Sequence, residues 1–236
     1  MENNQYITVE GRREVAVNHL LRRVFLLMAT GIGLTAVVAW YFSSNPALFS
    51  RLINEQGMTG LGIAVMIAPL AFVLIMSIGY QRLSAPLLGL LFGIYSSVNG
   101  ISFSFIFLAY TATSIYQTFA IAAGMFGIMA VLGYTTKVDL TRFGSLMFMG
   151  LIGIIVASVV NFFLNSAAFD YIISIAGVVV FTGLTAWDVQ KIKRLGESSG
   201  MSGASFHKIS VMGALTLYLD FINLFLFLLR FFGNRK

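Results

Sequence analysis

The sequence predicts an all-α, polytopic membrane protein, a bundle of seven transmembrane helices, on three observations. Of its 236 residues, 58% are hydrophobic and only 10% are charged, whereas soluble chains carry about a quarter charged residues. Apolar stretches of about 17 to 25 residues, long enough to cross a hydrocarbon core of about 30 Å, alternate with short polar joints. These stretches are unbroken Leu, Ile, Val and Phe runs without the alternation of a barrel strand. A backbone in lipid must satisfy its own hydrogen bonds, so the runs are helices. A water-soluble domain is excluded.

The first 23 residues are polar and of mixed charge, with Glu2, Glu10, Arg12, Arg13, Glu14, Arg22 and Arg23. They read as a cytoplasmic N-terminal segment ahead of a transmembrane domain at 24–236. The apolar run that follows has no small-residue cleavage site behind it and is not a cleavable signal. Seven spans are expected, at Val24–Phe42, Gly60–Tyr80, Pro86–Tyr110, Ile115–Tyr134, Gly144–Leu164, Tyr171–Trp187 and Ile209–Phe232. Pro69 removes a backbone donor deep in the second span and is expected to kink it. Gly89 and Gly93, Gly124 and Gly127, and Gly150 and Gly153 are candidates for close helix approach, since small residues set helix contacts in lipid. The longest joint, Asp188 to Lys208, reads as a mobile cytoplasmic loop.

Fifteen basic residues against nine acidic ones give a net charge of +6. The basic residues lie in the joints, where they set orientation instead of marking a nucleic-acid partner. Arg12, Arg13, Arg22, Arg23, Arg82, Lys137, Arg142, Lys191, Lys193, Arg194 and Lys208 fall on one side, against Arg51, Arg230, Arg235 and Lys236 on the other. The bias places the N-terminus in the cytoplasm and, after seven crossings, the C-terminus outside. A re-entrant last segment would instead return the basic tail to the cytoplasm.

Ionisable groups inside spans cost about 2.5 to 3.5 kcal/mol on insertion scales and each is a functional-site hypothesis. Asp220 lies near the middle of the seventh span and Asp188 at the inner end of the sixth. Helices joined by one loop can bring the two carboxyls together, where they cannot easily both ionise and are expected to share a proton near neutral pH. Deprotonated, they offer hard oxygen ligands of the kind Ca²⁺ prefers, as a transient metal site. Arg82, at the end of the second span, is a candidate latch on the pair, though a lone arginine there also snorkels to headgroups. Asn99, Asn161 and Asn223 are expected to bond between helices, and Asn223, nearly one turn after Asp220, is a candidate to orient its carboxyl.

Enzymatic readings fare worse. Gly-Glu-Ser-Ser-Gly at 196–200 fits G-x-S-x-G but lacks the strand and helix of a nucleophile elbow. Gly200-Met201-Ser202-Gly203 resembles the serine motif of rhomboid proteases, yet it falls in a loop and both histidines lie outside the spans. Absence of cysteine and of H-E-x-x-H argues against a zinc site. Paired aspartates are also the arrangement of presenilin-type proteases, but Asp220 is not flanked by glycine and no proline follows Pro86. No enzymatic activity and no resident cofactor are expected.

The run Gly213-Ala214-Leu215-Thr216-Leu217-Tyr218-Leu219-Asp220-Phe221-Ile222-Asn223-Leu224-Phe225, continuing to Leu229-Arg230-Phe231-Phe232-Gly233, resembles the Bax inhibitor-1 (transmembrane Bax inhibitor motif) family in its bacterial branch. Trp187-Asp188-Val189-Gln190-Lys191-Ile192 is similar to the family's aspartate-centred motif, with Val189 where threonine is more frequent and Trp187 where tyrosine is common. The resemblance implies a seven-helix protein in which Asp188 and Asp220 form a pH-responsive pair at a Ca²⁺-conducting pore. It also implies that Arg82 stands where some relatives pair an arginine with those aspartates in the closed state. Eukaryotic members restrain cell death and leak Ca²⁺ from internal stores; bacterial members include a substrate and modulator of a membrane-bound AAA protease. The expected function is therefore a pH-sensitive Ca²⁺ leak channel or Ca²⁺/H⁺-coupled transporter of a bacterial inner membrane, with the bilayer, Ca²⁺ and H⁺ as partners. The alternative is a membrane protein that modulates protease quality control, gripped by its polar N-terminus.

Overall fold

A computed structural model describes residues 2–197 and 203–236, with the backbone alone at 2–10 and 12. It is helical almost throughout: α1 (Glu2–Ser43), α2 (Pro46–Phe49), α3 (Gly60–Gly79), α4 (Ala85–Phe103), α5 (Ile106–Ala109), α6 (Ala112–Thr135), α7 (Thr141–Leu164), α8 (Ala167–Glu197) and α9 (Gly203–Phe232). A two-residue hairpin, β1 (Ile53–Asn54) and β2 (Gly57–Met58), pairs antiparallel between α2 and α3. Seven of the helices are long and apolar enough to cross a membrane. The chain is an all-α polytopic membrane protein. Large apolar side chains left uncovered by protein, such as Ile78 at 81% and Phe162 and Phe163 at 76%, form the surface that lipid must cover.

Helix starts follow local chemistry. Thr59, Ser84 and Thr111 each accept a bond from the amide three residues on, at 3.1, 3.4 and 3.3 Å, satisfying an orphan donor of the first turn. α7 ends on Asn165 in the left-handed region (φ 49°), a conformation asparagine tolerates. Its last turn is also closed by Asn161, whose Oδ1 accepts the Ser166 amide at 3.2 Å.

Contacts divide the chain into two units. One holds 1–19, 111–199 and 216–235; the other holds 20–110, 200–215 and 236. In the second unit α1 and α4 pack closely: Thr35 Oγ1 donates to Ser96 O at 2.8 Å, and a Cβ at Gly100 would meet Thr35 O and Val38 Cβ, both at 2.7 Å. Ser102 on α4 donates to Val65 O on α3 at 2.8 Å. In the first unit α8 is the hub, packed against α6 and α7 and, through Phe181–Phe227 and Tyr171–Phe231, against the later part of α9. Phe221 of α9 meets Phe119 and Phe126 of α6 edge-on, at 5.3 and 5.7 Å between ring centres.

The structure corrects several expectations. The supposed loop from Asp188 is helix to Glu197, because Val189 and Ile192 continue the buried stripe and neither proline nor glycine intervenes before Gly196. The joint shrinks to 198–202, which carries most of both serine motifs and lies outside the described residues. Helix α1 begins at Glu2, far ahead of the apolar run, since charged residues such as Arg and Glu are good helix formers. The third span runs as expected, over Ala85–Ala109, but its helix is interrupted after Phe103, where the Ser104 hydroxyl bonds back to Ile101 O at 2.6 Å and a separate turn, α5, follows. The last helix is a single element of 30 residues, about 45 Å long at 1.5 Å per residue, with no re-entrant break.

Most of the paired glycines do not face a neighbouring helix. A Cβ at Gly89, Gly93, Gly124, Gly127 or Gly153 would meet nothing within 4 Å, and only Gly150 has a close neighbour, Val180 Cγ2 at 2.9 Å. The close approaches are made by other glycines. A Cβ at Gly133 would strike the Ala186 backbone, one at Gly144 the Trp187 ring and one at Gly177 the Phe227 ring. All three hold neighbouring helices against α8 in the first unit.

Candidate functional site

Helix α8 carries Asp188 and helix α9 carries Asp220, and both aspartates belong to the first unit. The helices run antiparallel there: Phe181 stacks on Phe227 at 5.8 Å, seven residues from the aspartates along both helices. That register brings the two carboxyls close enough to act on each other. Asp188 is 6% exposed and Asp220 4%. Asp220 Oδ2 is buried without a hydrogen-bond partner, an exception to the rule that buried polar atoms are satisfied.

The surroundings explain the closeness. From Gly183 to Ile192, α8 is buried at every position except Trp187 and Lys191. Gly133 of α6 lets that helix lie directly on the Ala186 backbone, next to the aspartate turn. Phe221, adjacent to Asp220, fills the space toward α6. Lys191, one turn after Asp188, is the cation whose attraction reaches both carboxyls. Among the described residues no group of three or more His, Cys, Asp or Glu could hold a metal ion. Two carboxyls are few for Ca²⁺, which takes 6–8 oxygens.

Two residues beyond Asp188, Gln190 turns to different work. Its Oε1 accepts the Leu140 amide at 2.9 Å and its Nε2 donates to Val138 O at 2.8 Å, so this buried amide clamps the joint between α6 and α7. Asn223 does not take the role expected for it. Its Nδ2 donates to Leu219 O on its own helix at 2.8 Å, the one-turn-back bond a polar side chain makes when nothing across the interface competes. Asn99 likewise bonds within its helix, to Tyr95 Oη at 3.1 Å, and Asn161 caps α7. Arg82 is exposed in the turn after α3, where its amide donates to Gly79 O at 2.9 Å, and it belongs to the second unit.

Matched against known families, residues 17–236 fit the model described as inhibitor of apoptosis-promoting Bax1. The chain belongs to the Bax inhibitor-1 family. The inner membrane protein YbhL of Escherichia coli K12 is 48% identical over 217 residues, covering 92% of each chain. An uncharacterized Rickettsia prowazekii protein is 44% identical over 214 residues, covering 91% of this chain and 89% of its own. An uncharacterized membrane protein of Streptococcus pyogenes is 39% identical over 224 residues, covering 94% and 95%. In this Bax inhibitor-1 family chain, both segments that carried the resemblance lie on the helices that supply the buried pair.

Two ionic clusters were missed by sequence reasoning. Asp170, in the first turn of α8, accepts from Arg230 at 3.2 Å and lies 3.9 Å from Arg235. Asp139 pairs with Arg194 at 2.8 Å, and Arg194 also donates to the Thr141 hydroxyl at 3.0 Å. A signal existed for each. An acid opening one helix and a base closing its antiparallel neighbour are natural partners, and Asp139 accepts the Thr141 amide at 2.8 Å in the local turn that Asp-x-Thr favours.

Proposed function

We propose that this protein is a pH-sensitive Ca²⁺ leak channel or Ca²⁺/H⁺-coupled transporter of a bacterial inner membrane, with Asp188 and Asp220 as its proton and cation site. One observation carries the reading: two acids are buried against each other with an oxygen of Asp220 left unpartnered. Structural needs do not call for such a pair, because replacing buried charges by apolar groups is often neutral or stabilising. A shared proton makes the pair tolerable in lipid. Loss of that proton leaves up to four carboxylate oxygens for a hard cation, which binds weakly enough to leave again. The site thus exchanges H⁺ for Ca²⁺, and the work done is movement of ions, with the N-terminus in the cytoplasm and the C-terminus outside.

The test is flux. Purified protein is placed in vesicles containing a Ca²⁺ dye, and wild type is compared with Asp188→Asn and Asp220→Asn across a neutral pH series. Both variants are expected to lose the pH response. Flux and pH response unchanged in both would overturn the reading and leave protease modulation to be tested, through the cellular lifetime of a chain lacking residues 2–18.

A further inference from the structure

Helix α8 leaves a single face open where it is otherwise enclosed. Trp187, Lys191, Arg194 and Leu195 line that face at helical spacing, and with Thr141 and Gln190 they enclose a half-open cavity of about 300 Å³. The apolar stretch of the helix ends here and Lys191, Lys193 and Arg194 follow within two turns of Trp187. Tryptophan followed by cations is the pattern of a membrane–water boundary, where headgroups lie.

The cavity is chemically asymmetric. Lys191 holds its ammonium 5.0 Å from the centre of the Trp187 ring and makes no hydrogen bond or ion pair among the described residues; the buried Asp188 carboxyl attracts it from behind. Arg194 adds a second positive charge, partly balanced by Asp139. Both ends of the Gln190 amide are tied to the joint, by Val138 and Leu140, so it holds the cavity wall in place. On α7, Phe148, Ile152 and Ile155 follow Thr141 at helical spacing and are apolar and uncovered. An ammonium at the headgroup level, a second cation at the rim and an apolar track beside them match an anion that carries hydrocarbon chains.

We propose that the cavity lined by Trp187, Lys191 and Arg194 binds the phosphate group of an anionic phospholipid, with Lys191 as the principal donor. Basic pockets between membrane helices are known to take such headgroups, and a lysine ammonium is a sufficient point charge for a phosphodiester.

Full-length protein in phosphatidylcholine nanodiscs is titrated with phosphatidylglycerol, with further phosphatidylcholine, or with glycerol 3-phosphate, reading retained lipid by native mass spectrometry and the thermal midpoint. Phosphatidylglycerol alone is expected to be retained and to raise the midpoint. Lys191→Gln should weaken retention about tenfold, the cost of one charge-assisted hydrogen bond. Lys191→Arg should keep it, and so should Lys137→Gln, which removes an exposed charge from the neighbouring joint. Equal retention of the two lipids by wild type, or equal losses in Lys191→Gln and Lys137→Gln, overturns the site. Protection by glycerol 3-phosphate equal to that by lipid overturns the lipid and transfers the cavity to soluble phosphate esters.

Discussion

The first and last parts of helix α8 each hold a buried or half-buried aspartate against helix α9, yet the two contacts are opposites. At the start, Asp170 meets Arg230 and Arg235 and is 30% exposed. Eighteen residues on, Asp188 meets another acid, away from solvent, with Lys191 as the cation in range and an oxygen of Asp220 unpartnered. The same residue type, on the same pair of helices, is matched by opposite charge in one place and by a second acid in the other. Matched charges hold an end together. Two acids buried side by side do not, since replacing buried ionisable groups by apolar ones is often neutral or stabilising.

The sharpest way to break this comparison is to neutralise each acid separately. Asp220→Asn is expected to reduce the pH-dependent component of Ca²⁺ flux about tenfold or more, a factor that only about 1.4 kcal/mol in a barrier produces. Thermal stability should stay level or rise by up to about 1 kcal/mol, because an unsatisfied buried acid is removed. Asp170→Asn should do the reverse. Flux remains as in wild type, and stability falls by about 0.2 to 1 kcal/mol, the range for a partly exposed ion pair. If Asp220→Asn unfolds the protein while Asp170→Asn abolishes flux, the roles assigned to the two ends are exchanged.

Packing distinguishes the same two ends. Around Asp188, helix α6 lies on the Ala186 backbone through Gly133 and α7 meets the Trp187 ring through Gly144, contacts with no room for a methyl group. Gly133→Ala should therefore cost about 1 to 3 kcal/mol by overpacking. Gly124→Ala, on the same helix but with open space at its Cβ position, should gain up to about 1 kcal/mol from the backbone entropy of glycine. Thermal midpoints of both variants in detergent check this, and a cost at Gly124 equal to that at Gly133 would remove the packing argument.

Much of this was legible in the chain before its structure. Asp188 and Asp220 stood out because lipid makes carboxyls expensive, so their presence in apolar helices needed a reason. The seven spans were legible on the same ground. Hydropathy records where lipid is, however, and not where helix ends, so α8 continued nine residues past Asp188 on a stripe of only a few apolar residues, Val189 and Ile192 among them, too sparse to read as a span. Glycine spacing shows that a helix has a smooth face but not which neighbour lies against it; Gly124 and Gly127 fit the motif, while Gly133 makes the contact. Asparagine in a span announces a hydrogen bond without naming its partner, and Asn161 and Asn223 found theirs on or at the end of their own helices. Lys191 in sequence is one more basic residue of a joint, and its attraction for both carboxyls depends on the extra turns of helix that carry it.

A third aspartate sharpens the comparison from outside the membrane and carries the smallest effect. Asp139, in the joint before α7, is held well below the usual carboxylate range, first by the Thr141 hydroxyl, then by the Thr141 amide, then by Arg194. A carboxyl lowered in the folded state stabilises the fold above its ordinary value and loses that contribution as pH falls from there. The side chain is 66% exposed, so salt screens the effect and no change at neutral pH is expected in Asp139→Asn. A chemical-shift titration should find the carboxyl still ionised where ordinary aspartates have protonated. Thr141→Val and Arg194→Gln should each return it toward the ordinary range. A carboxyl unmoved by Thr141→Val would make Asp139 a charge-matched acid like Asp170, and the local turn would lose its part in the arrangement.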